Sequence, residues 1–201
     1  MKPFRPPLDP VAYYDQLATD FASRYDTVTF EAVHPNLSKH LPRHGRVLDI
    51  GSGSGRDARG LAARGLHVIA VEPSAVFRRL GGPSSDGIIW IDDRLPMLAL
   101  LDGIVEPFDF ILCSAVLMLL STSDLGSSFR TMARLLAEHG RLAVNIRDPM
   151  PGEPTAIFHL HTDAAILEAA NVAGLACIDR AELNDALGRP SYLWRSYVFS
   201  H

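Results

Sequence analysis

Val47-Leu48-Asp49-Ile50-Gly51-Ser52-Gly53-Ser54-Gly55 passes from an apolar run through an acid into three alternating glycines, and a second acid, Glu72, closes the next apolar run. Glycine lets backbone pass close to a ligand and takes a positive φ at no steric cost. The segment that follows, Arg56 to Arg64, is read as a helix whose N-terminal amides point at the same spot. Glu72 falls where an acid at the end of a second parallel strand accepts hydrogen bonds from ribose hydroxyls. Together these features predict a nucleoside-binding half of an α/β fold.

Working outward, Asp9-Pro10 reads as a helix start, with the proline in the first turn. Tyr13, Leu17, Phe21 and Tyr25 then recur at helical spacing. A second helix is expected from Thr29 to Leu41. Strand two is His67 to Glu72, and Pro73-Ser74 opens a helix ending near Gly81-Gly82-Pro83. Strand three is Ile88 to Ile91 and strand four Phe108 to Cys113. A helix from Ser123 to Glu138, capped by Gly140, leads to strand five at Arg141 to Ile146. Strands alternating with helices argue for a parallel sheet. Thr162 caps a helix that Gly174 ends. Two last strand-like runs are separated only by Asp185-Ala186-Leu187-Gly188-Arg189-Pro190. That connection is too short for a crossover helix, so the two strands pair antiparallel.

The chain has 201 residues, 47% of them hydrophobic, and a formal net charge of −4. This suits one α/β domain and gives no basic footprint for nucleic acid. No apolar run reaches the ~20 residues that span a bilayer. Met1-Lys2-Pro3-Phe4-Arg5-Pro6-Pro7 carries charge with no apolar stretch behind it, unlike a secretory signal. Cys113 and Cys177 stand apart in strand-like runs and read as buried, reduced thiols. A cytoplasmic location is expected, and the oligomeric state stays open.

The pattern Asp49-x-Gly51-x-Gly53-x-Gly55 resembles the first motif of class I S-adenosylmethionine-dependent methyltransferases. Glu72 matches that family's ribose-binding acid, and Asp92-Asp93 the acid that contacts adenine. Phe108 to Ser114 matches the strand whose end faces the reactive methyl, and Leu135 to Leu142 the turn before strand five. The resemblance covers residues 45 to 147, with 192 to 200 as a last strand. It implies a single Rossmann-like α/β domain: a seven-stranded, mostly parallel sheet with a C-terminal antiparallel hairpin and helices on both faces. Residues 1–44 are then a helical cap on a methyltransferase domain spanning 45–201.

The resemblance implies S-adenosylmethionine as cofactor, leaving S-adenosylhomocysteine, and a small-molecule methyl acceptor. The implied cofactor residues are Asp49, Gly51, Ser52, Gly53, Gly55, Glu72, Pro73, Asp92, Asp93, Ser114 and Tyr14. One of Asp92 and Asp93 is expected to face adenine, and the sequence does not say which. Arg24, Asn145, Arg147 and His159 are nominated as facing the acceptor; Tyr13 reads as core. Gly53-x-Gly55-x-x-Ala58 also satisfies a dinucleotide fingerprint. In that alternative a pyrophosphate would be opposed by Asp49, whereas a sulfonium and an α-ammonium would be attracted. A non-catalytic module binding adenosylmethionine or a nucleotide is the other alternative.

Methyl transfer needs alignment more than any fixed catalytic residue, so no catalytic residue is nominated. Cys113-Ser114-Ala115-Val116 lacks the Asn/Asp-Pro-Pro-Tyr pattern of enzymes methylating nucleobase amines. Leu119 stands where many relatives carry a histidine. No metal cluster is expected; His159 and His161 form the single close histidine pair. No serine-hydrolase elbow is present.

Overall fold

β1 (Arg46–Ile50) is apolar on both faces and almost wholly buried, which places it inside a sheet covered on two sides. In the computed structural model, residues 9–82, 87–103 and 106–201 are described. Met1–Pro7, read above as unlike a secretory signal, and Pro83, read as near a helix end, lie outside them. β2 (His67–Val71), β3 (Ile89–Ile91), β4 (Phe108–Ser114) and β5 (Leu136–Arg147) run parallel to β1. β6 (Ala176–Asn184) and β7 (Leu193–Ser200) form the antiparallel hairpin, and β7 pairs antiparallel with β5. The strand order is β3-β2-β1-β4-β5-β7-β6. The order reverses between β1 and β4, so the loops leaving their carboxyl ends diverge. An open α/β sheet binds its ligand in that crevice.

Alternation along β1 sorts the two cores. Leu48 and Ile50 pack in one cluster with Phe129 and Met132 of α5 (Thr122–Leu135) and Ile166 of α6 (Asp163–Val172). Val47 packs on the other face with Phe30 of α2 (Phe30–Val33) and Leu61 of α3 (Arg56–Ala62). α1 (Pro10–Tyr25) lies against α4 (Ala75–Gly81), with Ala18, Ala22 and Phe77 buried between them. Asp9 caps α1 ahead of Pro10, and a hydrogen bond from Ser74 Oγ to Asp15 ties α1 to the start of α4.

The expected helix over 29–41 stops at Val33. His34 precedes Pro35, and the proline ring disfavours helical backbone in the residue before it; His34 sits at φ −124°, ψ 56°. α3 likewise ends at Ala62 rather than Arg64. α5 ends at Leu135 and passes directly into β5, five residues before the expected strand start at Arg141. Gly140 therefore lies within a strand and not at a helix cap. A Cβ on it would come 2.9 Å from the Phe108 carbonyl oxygen, so close strand approach explains the glycine. Cys113 is buried, but Cys177 is exposed on the edge strand β6, which corrects its reading as a buried thiol.

Candidate active site

A cavity of about 440 Å³ opens at the carboxyl ends of the parallel strands. Its floor is the loop after β1. Gly51, Gly53 and Gly55 all take positive φ (70°, 55° and 82°), each for a different reason. A Cβ on Gly51 would meet Val116 Cγ2 at 2.3 Å, and one on Gly55 would meet the Trp90 ring at 2.9 Å. Gly55 starts α3 and does not line the cavity. A Cβ on Gly53 meets no protein atom within 4 Å; with Gly53 in the cavity wall, its bare side is the approach left for a ligand.

Glu72, at the end of β2, is buried, and each of its carboxylate oxygens accepts one backbone N–H: Oε2 from Gly53 and Oε1 from Ser74, both at 2.8 Å. One side chain thus fixes the glycine loop against the start of α4. Burial raises its pKa, and the two N–H donors offset part of that rise. Pro73 lines the cavity beside it. Asp49 lies beneath the loop at 2% exposure, and its Oδ2 has no hydrogen-bond partner. Burial, reinforced by the neighbouring Asp57 charge, pushes its pKa up to about 8.

The two acids after β3 part ways. Asp92 pairs with Arg78 at 2.6 Å and stays outside the cavity. Asp93 is in the cavity wall, its two oxygens accepting the Arg94 and Leu100 amides. Ser52, Ser114, Tyr14, Asn145 and Arg147 also line the cavity. Arg24 is exposed and stacks on Phe21, away from the cavity. His159 lies outside the wall too; its amide donates to the Met118 carbonyl at 2.7 Å. His161 is buried, with Nε2 against the Leu117 and Leu120 carbonyls, so it braces the loop after β4. Tyr13 packs edge-on against Tyr14 and Phe158 beside the core.

The cavity wall also takes in residues that no sequence motif flagged. Tyr25, Val28 and Val33 come from the N-terminal elements, and Asn184 to Leu187, Arg189 and Trp194 from the β6–β7 hairpin. Beneath them runs a buried chain of polar contacts. Arg56 donates to both oxygens of Asp57, Asp57 meets His34 Nε2 at 3.1 Å, and His34 Nδ1 meets Asn145 Nδ2 at 2.7 Å. Burial opposes the Asp57 charge, but His34 and Arg56 outweigh it and hold the carboxyl well below its usual range. Arg56-Asp57 directly after the last glycine was the available signal; His34 and the hairpin had none.

The methyltransferase-domain family matches residues 21–176. The chain belongs to that family. This methyltransferase-domain protein is 27% identical over 189 residues to YqeM of Bacillus subtilis (strain 168). The match covers 90% of this chain and 66% of YqeM, just under two thirds of that relative's length. Its fold is shared with a TehB-like SAM-dependent methyltransferase from Corynebacterium glutamicum ATCC 13032 Kitasato (TM-score 0.70, 18% identity, 92% of this chain and 98% of the other). It is shared as well with a Burkholderia thailandensis 1,6-didemethyltoxoflavin-N1-methyltransferase carrying its substrate and S-adenosylhomocysteine (TM-score 0.66, 20% identity, 98% and 93%).

The raised pKa of Asp49 has a testable consequence for the ligand-free protein. A carboxyl near 3.8 when unfolded and near 8 when folded favours the folded state while it holds its proton. That contribution is complete below about pH 4 and is lost as pH rises through 8, at no more than about 1.4 kcal/mol per pH unit. Asp49→Asn removes the titration. Its melting temperature is therefore expected to gain on the parent by several degrees between pH 5 and pH 8.5, read by differential scanning fluorimetry. Parallel pH profiles would show that Asp49 is ionised throughout.

Proposed function

We propose that this protein transfers a methyl group from S-adenosylmethionine to a small-molecule acceptor. The observation that carries this reading is the buried, unpartnered Asp49 oxygen under a glycine loop that is open only at Gly53. A buried acid without a cation is costly, and a cationic ligand offsets that cost where a pyrophosphate would increase it. The residues suit adenosylmethionine along its length. Gly51 to Gly53 would take the methionine part and Glu72 the ribose. Asp93 and the apolar Phe77, Leu95 and Pro96, all in the cavity wall, would take the adenine.

Bound there, the cofactor supplies an electrophilic methyl on a sulfonium that is already a good leaving group. The protein's part is to hold the acceptor in line within about 3–3.5 Å of the methyl and keep water out. Val116, Met118, Leu119 and Leu120 supply an apolar wall after β4 for that purpose. Ala115 at φ 60° turns the chain sharply there, with its amide held by the Asn145 carbonyl at 2.8 Å. Leu119 leaves no histidine in that wall, so an acceptor that must lose a proton relies on another group.

No helix among the described residues is long and apolar enough to cross a membrane. The two unpaired cysteines support action in the cytoplasm. Isothermal titration with adenosylhomocysteine and with NAD tests the reading. Adenosylhomocysteine is expected to bind and NAD to bind at least tenfold more weakly. Tight NAD binding with no response to adenosylhomocysteine would overturn it.

A further inference from the structure

Four arginines line the cavity: besides Arg94, which pairs with Asp9, they are Arg56 after the glycine loop, Arg147 at the end of β5, and Arg189 in the β6–β7 hairpin. The last three come from separate parts of the chain. Each of these is clamped on one edge by its own carboxylate. Arg56 grips Asp57 through Nε and Nη2, Arg189 grips Asp185 through the same two atoms, and Arg147 forks onto Glu153 through both Nη atoms. The clamps are built structures. The Asp185 side chain is 3% exposed and also accepts the Leu187 and Arg189 amides and the Trp194 indole N–H. Arg147 is further sandwiched between the Phe158 and Tyr192 rings, and Arg189 lies 3.9 Å over Tyr192.

The clamping leaves donors over. A guanidinium has five N–H groups in a fixed fork, and the outer Nη1 of Arg56 and of Arg189 meets no acceptor among the described residues. Tyr25 lines the same cavity as these arginines. Burial raises its pKa while Arg189, Arg24, Arg147 and Arg56 pull against that rise, and its hydroxyl has no hydrogen-bond partner among the described residues. Ion pairing neutralises each arginine overall, so the site offers directed N–H and O–H donors rather than a broad positive field. Tyr14, Tyr25 and Trp194 give it aromatic walls.

We infer that this end of the cavity binds the acceptor through a carboxylate, held by the free edges of Arg56 and Arg189 and the Tyr25 hydroxyl, with an aromatic body against Tyr14 and Trp194. The inference rests on the methyltransferase reading and names its substrate class: an aromatic carboxylic acid. A planar carboxylate matches the planar fork of a guanidinium better than a neutral amide does.

The test is titration of adenosylhomocysteine-saturated protein with benzoate and 4-hydroxybenzoate, each against its carboxamide, and with phenyl phosphate. The carboxylates are expected to bind at least tenfold more tightly than the carboxamides and than phenyl phosphate. Arg189→Gln should abolish that preference. Tyr25→Phe, which removes one oxygen and no packing, should weaken the carboxylates several-fold and leave the carboxamides unchanged. Both variants should bind adenosylhomocysteine within about twofold of the parent. Equal binding of acid and amide, a preference for phosphate, or a preference that survives both substitutions would overturn the carboxylate assignment alone. Failure of adenosylhomocysteine to bind the parent would overturn the cofactor reading and this inference with it.

Discussion

Gly53→Val is expected to reduce adenosylhomocysteine affinity at least a hundredfold while lowering the melting temperature of the ligand-free protein by only a few degrees. The loss of binding is steric. A Cβ at this position meets no protein atom within 4 Å, so the added isopropyl group enters space left for a ligand. The modest melting change comes from the backbone. A side chain at φ 55° costs roughly 1–2 kcal/mol, and about 1 kcal/mol moves Tm by roughly 2–4 °C in a chain of this size. Gly51→Val supplies the contrast. There the Cβ would lie 2.3 Å from Val116 Cγ2, and overpacking adds about 1–3 kcal/mol to the same backbone strain. Gly51→Val should therefore melt well below Gly53→Val. Calorimetric binding beside thermal melts separates the two glycines. Parent-like affinity in Gly53→Val would mean that the cofactor does not lie against this loop.

Glu72→Ala is expected to weaken adenosylhomocysteine binding by one to two orders of magnitude. Hydrogen bonds to a charged group contribute about 1.5–3 kcal/mol. Each Glu72 oxygen already accepts one backbone amide but keeps a second lone pair for a ribose hydroxyl. Truncation removes the ribose contact and frees the Gly53 and Ser74 amides together. Glu72→Gln retains one acceptor oxygen and should fall between the parent and alanine. A 2′,3′-dideoxy analogue of adenosylhomocysteine distinguishes the two losses. It should bind the parent poorly and bind Glu72→Ala about as well as the natural nucleoside does. If the parent binds both nucleosides equally, Glu72 only braces the loop.

The sheet and the proposed cofactor end were legible because their signals are local. An acid, three glycines and a second acid at a strand end carry their meaning in short spacing, and the brief gap before Leu193 dictates an antiparallel hairpin. The misreadings have local causes too. Pro35 disfavours helix at His34, and that signal is local. Leu135-Leu136-Ala137 has good helix propensity, and pairing of Leu136 with Phe108 overrides it. Cys177 sits in an apolar run, yet no residue of this edge strand is buried. The acceptor end was illegible for a different reason. Tyr25, Arg56, Arg147 and Arg189 meet only after the sheet has formed, and no window of sequence holds them together. Asp185-Ala186-Leu187-Gly188-Arg189-Pro190 read as a plain loop because the role of its acid depends on Trp194 and on the cavity it faces.

That dispersal bears on how the protein acquires its activity. Tyr14 belongs to the first described helix and Trp194 to the last strand, yet they line one cavity. Contacts so far apart in sequence form late and slow folding. The cofactor end, from β1 to β3, is by contrast assembled from one contiguous stretch. A nascent chain can thus complete its nucleoside-binding half while still on the ribosome, but it acquires an acceptor pocket only after the hairpin has emerged and docked. Bound acceptor would in turn stabilise the hairpin and α1 together by mass action, making these two distant segments partners in a single cooperative unit.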